Sequence, residues 1–153
     1  MFTDTGLFHQ FKMKDVPLCK LKDKGIPVDN ISNFDSASEN ILKIDAFDNL
    51  KDKILLFATG HGMIKRVAAS EFETNKKTVA STKLEDGDKL VFVDELNGSN
   101  IVLVSEKKSI LRFAAEDVAM YKKTSVGVRG MRLDEEDCIT AVYDFDPAVK
   151  YVV

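Results

Sequence analysis

Short apolar runs separated by charged turns recur along this chain, and they come in pairs. ILLFATG (54–60) and IVLVS (101–105) are rich in aliphatic and β-branched residues, as expected of buried strands. MIKRV (63–67) and SILRF (109–113) follow them after turns containing Gly62 or Lys107-Lys108, so each pair predicts a β-hairpin. KLVFV (89–93) and CITAV (138–142) supply a further strand after the acidic turns EDGD and DEED, where Gly87 suits a positive φ. FDNLKDK (47–53) and DELNGSN (94–100) read as polar connectors, the second with an Asn97-Gly98 turn signal. No amphipathic stretch of helical length is present; ASEFETNKK (69–77) is the best helical candidate, at about two turns. The expected core is Leu56, Phe57, Ile64, Val67, Leu103, Ile110, Phe113, Val118 and Val142.

The runs repeat. LFATGHGMIKRVAASEF (56–72) and VLVSEKKSILRFAAEDV (102–118) align at an offset of 46, with Thr59 on Ser105, Ile64 on Ile110, Arg66 on Arg112 and Glu71 on Asp117. FTDTGLFHQFKMKDV (2–16) aligns 102 residues before 104–118, with Thr3 on Ser105 and Phe8 on Ile110. KLEDGDKLVFV (83–93) matches RLDEEDCITAV (132–142), and SENILKI (38–44) is a shorter version. Residues 1–153 are therefore expected to form one partial all-β domain, with units of approximately 1–53, 54–100 and 101–147 and the start of a further blade at 148–153. The first unit reads as beginning inside its first strand, so the chain reads as an excerpt of a longer array. Four-stranded units of this size favour propeller-like blades over a solenoid or a plain sandwich.

Composition narrows the function classes. At 44% hydrophobic and 31% charged residues the chain is ordinary for a globular domain. It has no apolar run of about 18 residues, and its N-terminus has no basic-then-apolar pattern, so neither a membrane span nor a signal peptide is expected. Cys19 and Cys138 are read as reduced thiols; with His9 and His61 they make four conceivable zinc ligands, but no two are close in sequence, so no metal site is expected. The acidic turns are read as solvated rather than as Ca²⁺ or Mg²⁺ loops. No nucleophile–base pair stands out, and the chain has neither GxxxxGK[ST] nor GxGxxG. The net charge of −3 argues mildly against a generic nucleic-acid binder, although a basic rim on an acidic body still attracts phosphates.

The basic, glycine-bearing segment TSVGVRGMRL (124–133) corresponds to KDKGIPVDNI (22–31) in unit one and to the shorter TVASTKL (78–84) in unit two. With these pieces in place, the succession LFATGHGMIKRVAASEF, KLEDGDKLVFVD, VLVSEKKSILRFAAEDV and GVRGMRLDEED resembles the C-terminal domain of the A subunit of bacterial DNA gyrase, or the equivalent subunit of topoisomerase IV. The resemblance covers nearly the whole chain, as internal blades. It implies a β-pinwheel, a propeller-like disc of about three four-stranded blades here, whose blades exchange strands and whose basic rim binds and bends duplex DNA. It implies a non-catalytic part of an ATP-dependent type IIA topoisomerase of the bacterial cytoplasm and nucleoid, whose partners would be the remaining topoisomerase domains and the ATPase subunit. ATP and Mg²⁺ would then be bound elsewhere, with no cofactor in this chain. The family's Gln-Arg-Arg-Gly-Gly-Lys-Gly box is absent, and Tyr121, Tyr143 and Tyr151 match no DNA-cleaving context, so no catalytic residue is expected. The rival reading is a propeller-like protein–protein interaction module.

A protein that curves a duplex needs spaced cations on a rigid edge and little base readout. Lys65 and Arg66 lie on the second strand of unit two, with Arg112 at the matching place in unit three. Lys76 and Lys77 lie 46 residues before Lys122 and Lys123. Arg129 and Arg132 sit on the glycine loop. These nine are the expected DNA contacts. Three blades also leave open sheet edges, through which homo-association is an expected partner mode.

Overall fold

The computed structural model describes residues 1–148. In chain order the strands are β1 (Phe2–Thr3), β2 (Leu7–His9), β3 (Ile41–Lys43), β4 (Ile54–Thr59), β5 (Met63–Ala68), β6 (Thr78–Ala80), β7 (Leu90–Glu95), β8 (Asn100–Ser105), β9 (Ile110–Ala114), β10 (Val128–Arg129) and β11 (Ile139–Phe145). They form three antiparallel sheets, ordered β3-β1-β2-β6, β10-β5-β4-β7 and β11-β8-β9. Each sheet is built alike: a hairpin (β1–β2, β4–β5, β8–β9) with a closing strand from the same unit on the first hairpin strand. The second hairpin strand of the first two sheets receives a short strand from the following unit: Phe8 faces Val79 of β6, and Ile64 faces Val128 of β10. The blades therefore exchange strands. Among the described residues, β9 has no such partner.

Two cores lie between the three sheets. One contains Phe2, Phe8, Leu55, Phe57 and Phe72. Its four phenylalanines interlock, with Phe2 5.0 Å from Phe8, 5.8 Å from Phe57 and 5.0 Å from Phe72, the latter two edge to face, a geometry that ring quadrupoles favour. The other contains Leu56, Ile64, Leu103, Met131 and Ile139. Successive residues of β4 point to opposite faces, and both Leu55 and Leu56 are 0% exposed because each face meets a different core. That two-sided burial is why the run from Ile54 is continuously apolar instead of alternating.

Several expectations change. Residues 69–77 do not form an α-helix; only Ala69–Phe72 closes a 3₁₀ turn, whose Phe72 enters the aromatic core. The connector 47–53 contains one α-helical turn, Phe47–Leu50, and β7 extends into the expected connector as far as Glu95. Ile110, expected in the core, is 72% exposed. Its counterpart Ile64 is covered by the following unit, where even a Cβ on Gly130 would come within 2.6 Å of its side chain; Ile110 has no such cover among the described residues. The further blade expected over 148–153 lies outside the described residues from 149 onward.

Candidate nucleic-acid interface

The nine cations fall into groups set by the strand exchange. Lys76 and Lys77 immediately precede β6, at the point where unit two crosses onto the first blade. Gln10 grips that crossing: its backbone N–H donates to the Lys77 carbonyl (2.9 Å) and its side-chain amide to the Lys76 carbonyl (2.6 Å). Both lysine side chains are exposed and, among the described residues, enter no ion pair. Lys122 and Lys123 stand at the equivalent crossing from unit three onto the second blade. There the Tyr121 N–H donates to the Arg66 carbonyl (2.8 Å), Lys122 Nζ donates to Glu71 Oε1 (2.8 Å), and Lys123 Nζ donates to the Glu71 carbonyl (2.6 Å) while lying over the Phe72 ring. Lys122 and Glu71 each hold the other's charge: the hydrogen bond from Lys122 keeps the Glu71 carboxyl below its ordinary range, and Glu71 raises Lys122. Lys122 is fully exposed, so this pair is weak enough for a phosphate to displace.

In the second blade the acidic turn and the crossing lysines lie at opposite ends of the hairpin. The acidic turn Glu85–Asp88 packs at the β4–β5 turn, where Asp88 Oδ1 accepts from the His61 N–H at 2.9 Å. Lys122 and Lys123 sit at the opposite end, beside Arg66 and Glu71. Arg129 and Arg132 do not join them. Arg129 pairs with Met63 near the hairpin turn, and Arg132 follows it; both are exposed and, among the described residues, without an ion pair. Arg112 is exposed on β9, where its Nε donates to Asn100 Oδ1 (2.9 Å) and its guanidinium stacks over Phe145 at 5.1 Å. Arg66 is half-buried, and its Nε is buried without a hydrogen-bond partner. Neither arginine pairs with Glu71 or Asp117.

Lys65 must be removed from the expected set. It is 1% exposed, and its Nζ donates to the Lys123 and Ser125 carbonyls at 2.8 Å each, with Ser81 O at 3.4 Å. The ammonium is spent on the crossing segment itself, so it fastens one unit to the next and offers nothing to a ligand. The register of the repeats puts His9 of unit one at the same place, and it does a parallel job. Its Nδ1 pairs with Thr78 Oγ1 of the exchanged β6 at 2.9 Å, and its Nε2 with Glu39 Oε2 at 3.0 Å, with the ring 1% exposed. Burial works to raise the Glu39 carboxyl, but hydrogen bonds led by His9 outweigh it and hold the group below its ordinary value.

The profile of the family described as "DNA gyrase C-terminal domain, beta-propeller" matches residues 53–97 and 99–143. The chain belongs to this family. The DNA gyrase A subunit of Ureaplasma parvum serovar 3 is 33% identical over 141 residues, 90% of this chain and 16% of that protein. The A subunit from Lawsonia intracellularis is 32% identical over 145 residues, 92% of this chain and 17% of that protein. The chain thus spans about a sixth of the length of these relatives. The solved C-terminal domain of DNA topoisomerase IV superposes with a TM-score of 0.83 at 26% identity, covering 92% of this chain and 45% of that one. That of DNA gyrase A superposes with a TM-score of 0.70, also at 26% identity, covering 93% and 45%. The likeness places the described sheets as β-pinwheel blades.

Within this gyrase-family domain the structure adds two cations that the repeat does not single out. Lys12 and Lys14 line a groove with Lys77, together with Phe11, Asn75 and one acid, Asp15. The alternation of Lys12 and Lys14 with Phe11 and Met13 is visible in the sequence. Their approach to Lys77 is not, because it depends on β6 pairing across units. No helix of the described residues is long and apolar enough to cross a membrane.

Proposed function

We propose that this domain binds and bends duplex DNA by its phosphates, without sequence readout, as a non-catalytic part of a type IIA topoisomerase A subunit of the bacterial nucleoid. On this reading strand cleavage and ATP use belong to other domains and to the ATPase subunit, which are its protein partners. The observation that carries the reading is the recurrence of a lysine pair at two successive blade crossings, 76–77 and 122–123, on an exchanged-strand frame; Lys76, Lys77 and Lys122 are exposed, and the half-buried Lys123 is anchored beside them on the Glu71 carbonyl. Repetition at fixed spacing suits a backbone lattice that presents phosphates regularly. Lys12 and Lys14 extend the positive surface at the first crossing, Arg129 and Arg132 add exposed cations near the hairpin turn of the second blade, and Arg112 lies on the exposed face of the third hairpin. Local clustering at one end of the blade is what allows a chain of net charge −3 to attract a polyanion.

The test is the electrophoretic mobility of a duplex of about 150 base pairs, one persistence length, at rising salt. Binding indifferent to sequence and collapsing with salt is expected. Replacing Lys76, Lys77, Lys122 and Lys123 with alanine is expected to flatten the log–log salt dependence by about 0.9 for each phosphate no longer neutralised. Lys83→Ala serves as the control and leaves the slope unchanged. Absence of binding by the folded chain at low salt overturns the proposal.

A further inference from the structure

We propose that His61, Glu85 and Asp88 form a binding site for a divalent first-row transition metal of the zinc type. His61 lies in the β4–β5 turn, and Glu85 and Asp88 lie in the acidic turn before β7. One ligand atom from each falls within 4.8 Å of the others. The acids by themselves would carry nothing, since exposed acidic turns are common. Asp88 is different: its side chain is 1% exposed, and its two oxygens have unequal roles. Oδ1 accepts from the backbone N–H groups of His61 (2.9 Å) and Lys89 (2.8 Å). Oδ2 is buried and has no hydrogen-bond partner. The nearest cationic candidate, His61 Nδ1, stands 3.8 Å away, too far for a hydrogen bond.

The other two hairpin turns show what is missing. In unit three Asp137 occupies the place of Asp88 and caps the turn identically, with Oδ1 accepting from the N–H groups of Lys107 (3.0 Å) and Cys138 (2.9 Å). Lys107 stands where unit two has His61, and its ammonium reaches back across the turn to the Glu135 carbonyl. In unit one, Asp4 Oδ2 has the Lys89 ammonium at 3.4 Å. Unit three's turn has the ammonium of its own Lys107, and unit one's turn is reached by the ammonium of Lys89 from unit two, which thereby points away from Asp88. The Asp88 turn has an imidazole, which supplies a metal ligand in place of a fixed charge.

The donor set selects the ion. An imidazole nitrogen with two carboxylates suits Zn²⁺, Co²⁺ or Ni²⁺, whereas Mg²⁺ and Ca²⁺ prefer all-oxygen sites. Three protein ligands leave a fourth position for water. The spacing is wider than that around a bound ion, but His61 and Glu85 are exposed and free to close on Asp88. The two N–H bonds to Oδ1 fix the Asp88 carboxylate, the support that outer hydrogen bonds give a ligating group. A bound ion would staple the hairpin turn to the acidic turn within the second blade.

The experiment uses the full chain carrying Cys19→Ser and Cys138→Ser, so that no thiol competes. ZnCl₂ and, separately, MgCl₂ are titrated by calorimetry, with thermal melts alongside. Saturable single-site binding of Zn²⁺ with a raised Tm is expected, and no response to Mg²⁺ at the same concentration. His61→Ala and Glu85→Gln should each weaken Zn²⁺ binding by more than the roughly tenfold that loss of an outer partner costs. His61→Lys, which copies the unit-three turn, should fold with a Tm no lower than the metal-free parent and lose the Zn²⁺ response. No Zn²⁺ binding by the parent, equal binding by His61→Ala, or an equal response to Mg²⁺ overturns the proposal.

Discussion

Lys65→Met is expected to destabilise the domain by about 2–4 kcal/mol while leaving its surface charge pattern intact. Methionine keeps most of the volume but none of the donors. Three backbone carbonyls, Ser81 O, Lys123 O and Ser125 O, lose their shared partner in a buried seam. An unsatisfied buried acceptor costs about 1–3 kcal/mol, and relief from burying an ammonium offsets part of the total. The pH dependence identifies the cause. Burial pushes the Lys65 ammonium down from 10.5 to about 8, against the attraction of Glu71. Between about 8 and 10.5 the unfolded chain binds the proton and the folded chain releases it, so this group's contribution to stability rises with pH through that window. Above it the contribution is fully present; it is lost as pH falls through about 8. Denaturant unfolding should therefore show the gap between parent and variant widening with pH, by up to about 3 kcal/mol. A gap that is flat from neutral to alkaline pH would show that Lys65 does not act through a buried charge.

Gly127→Ala strikes the same seam from the other side and is expected to cost at least about 3 kcal/mol. Gly127 has a φ of +98°, and a Cβ there would stand 2.4 Å from Ile64 O and 3.0 Å from Lys65 Cβ. The backbone of β5 has no room to retreat, because Ile64 is packed in the second core. Relief requires lifting residues 127–129 away, which breaks the β10–β5 pairing. Gly25→Ala isolates the backbone component: φ is +74°, but nothing lies within 4 Å of the added atom, so only about 1–2 kcal/mol is expected. Unfolding curves measure both variants, and hydrogen exchange at Val128 and Arg129 should accelerate in the first alone. Equal costs would mean that the close approach to Ile64 contributes nothing. Because Lys122, Lys123 and Arg129 flank this seam, Gly127→Ala should also weaken DNA binding, whereas Gly25→Ala should not.

Much of the framework is legible in the residues. The hairpins of units two and three, the closing strands after EDGD and DEED, and the positive φ at Gly87 (+76°) follow from local pattern and turn chemistry. The exchanged strands are not legible. Thr78–Ala80 and Val128–Arg129 are short and partly polar, and their partners lie in another unit, so no local signal marks them. The burial of Lys65 is hidden for the same reason. A lysine on a strand beside an arginine reads as a surface cation, and only the carbonyls of Lys123 and Ser125, 58 and 60 residues away, make its burial tolerable. His61, Glu85 and Asp88 do not read as ligands because their spacing matches no sequence motif; the β4–β7 pairing brings them together.

The repeat, the all-β class and the positions of hairpins and turns were written in the residues, because apolar patterning and turn geometry are local properties that each unit spells out anew. Which blade each short strand completes, which cations remain in water and which buried carboxylate oxygen is left without a donor emerged from the folded arrangement alone. Those outcomes depend on contacts between residues far apart in the chain, where a buried hydrogen bond or a missing Cβ outweighs the preference of the residue itself.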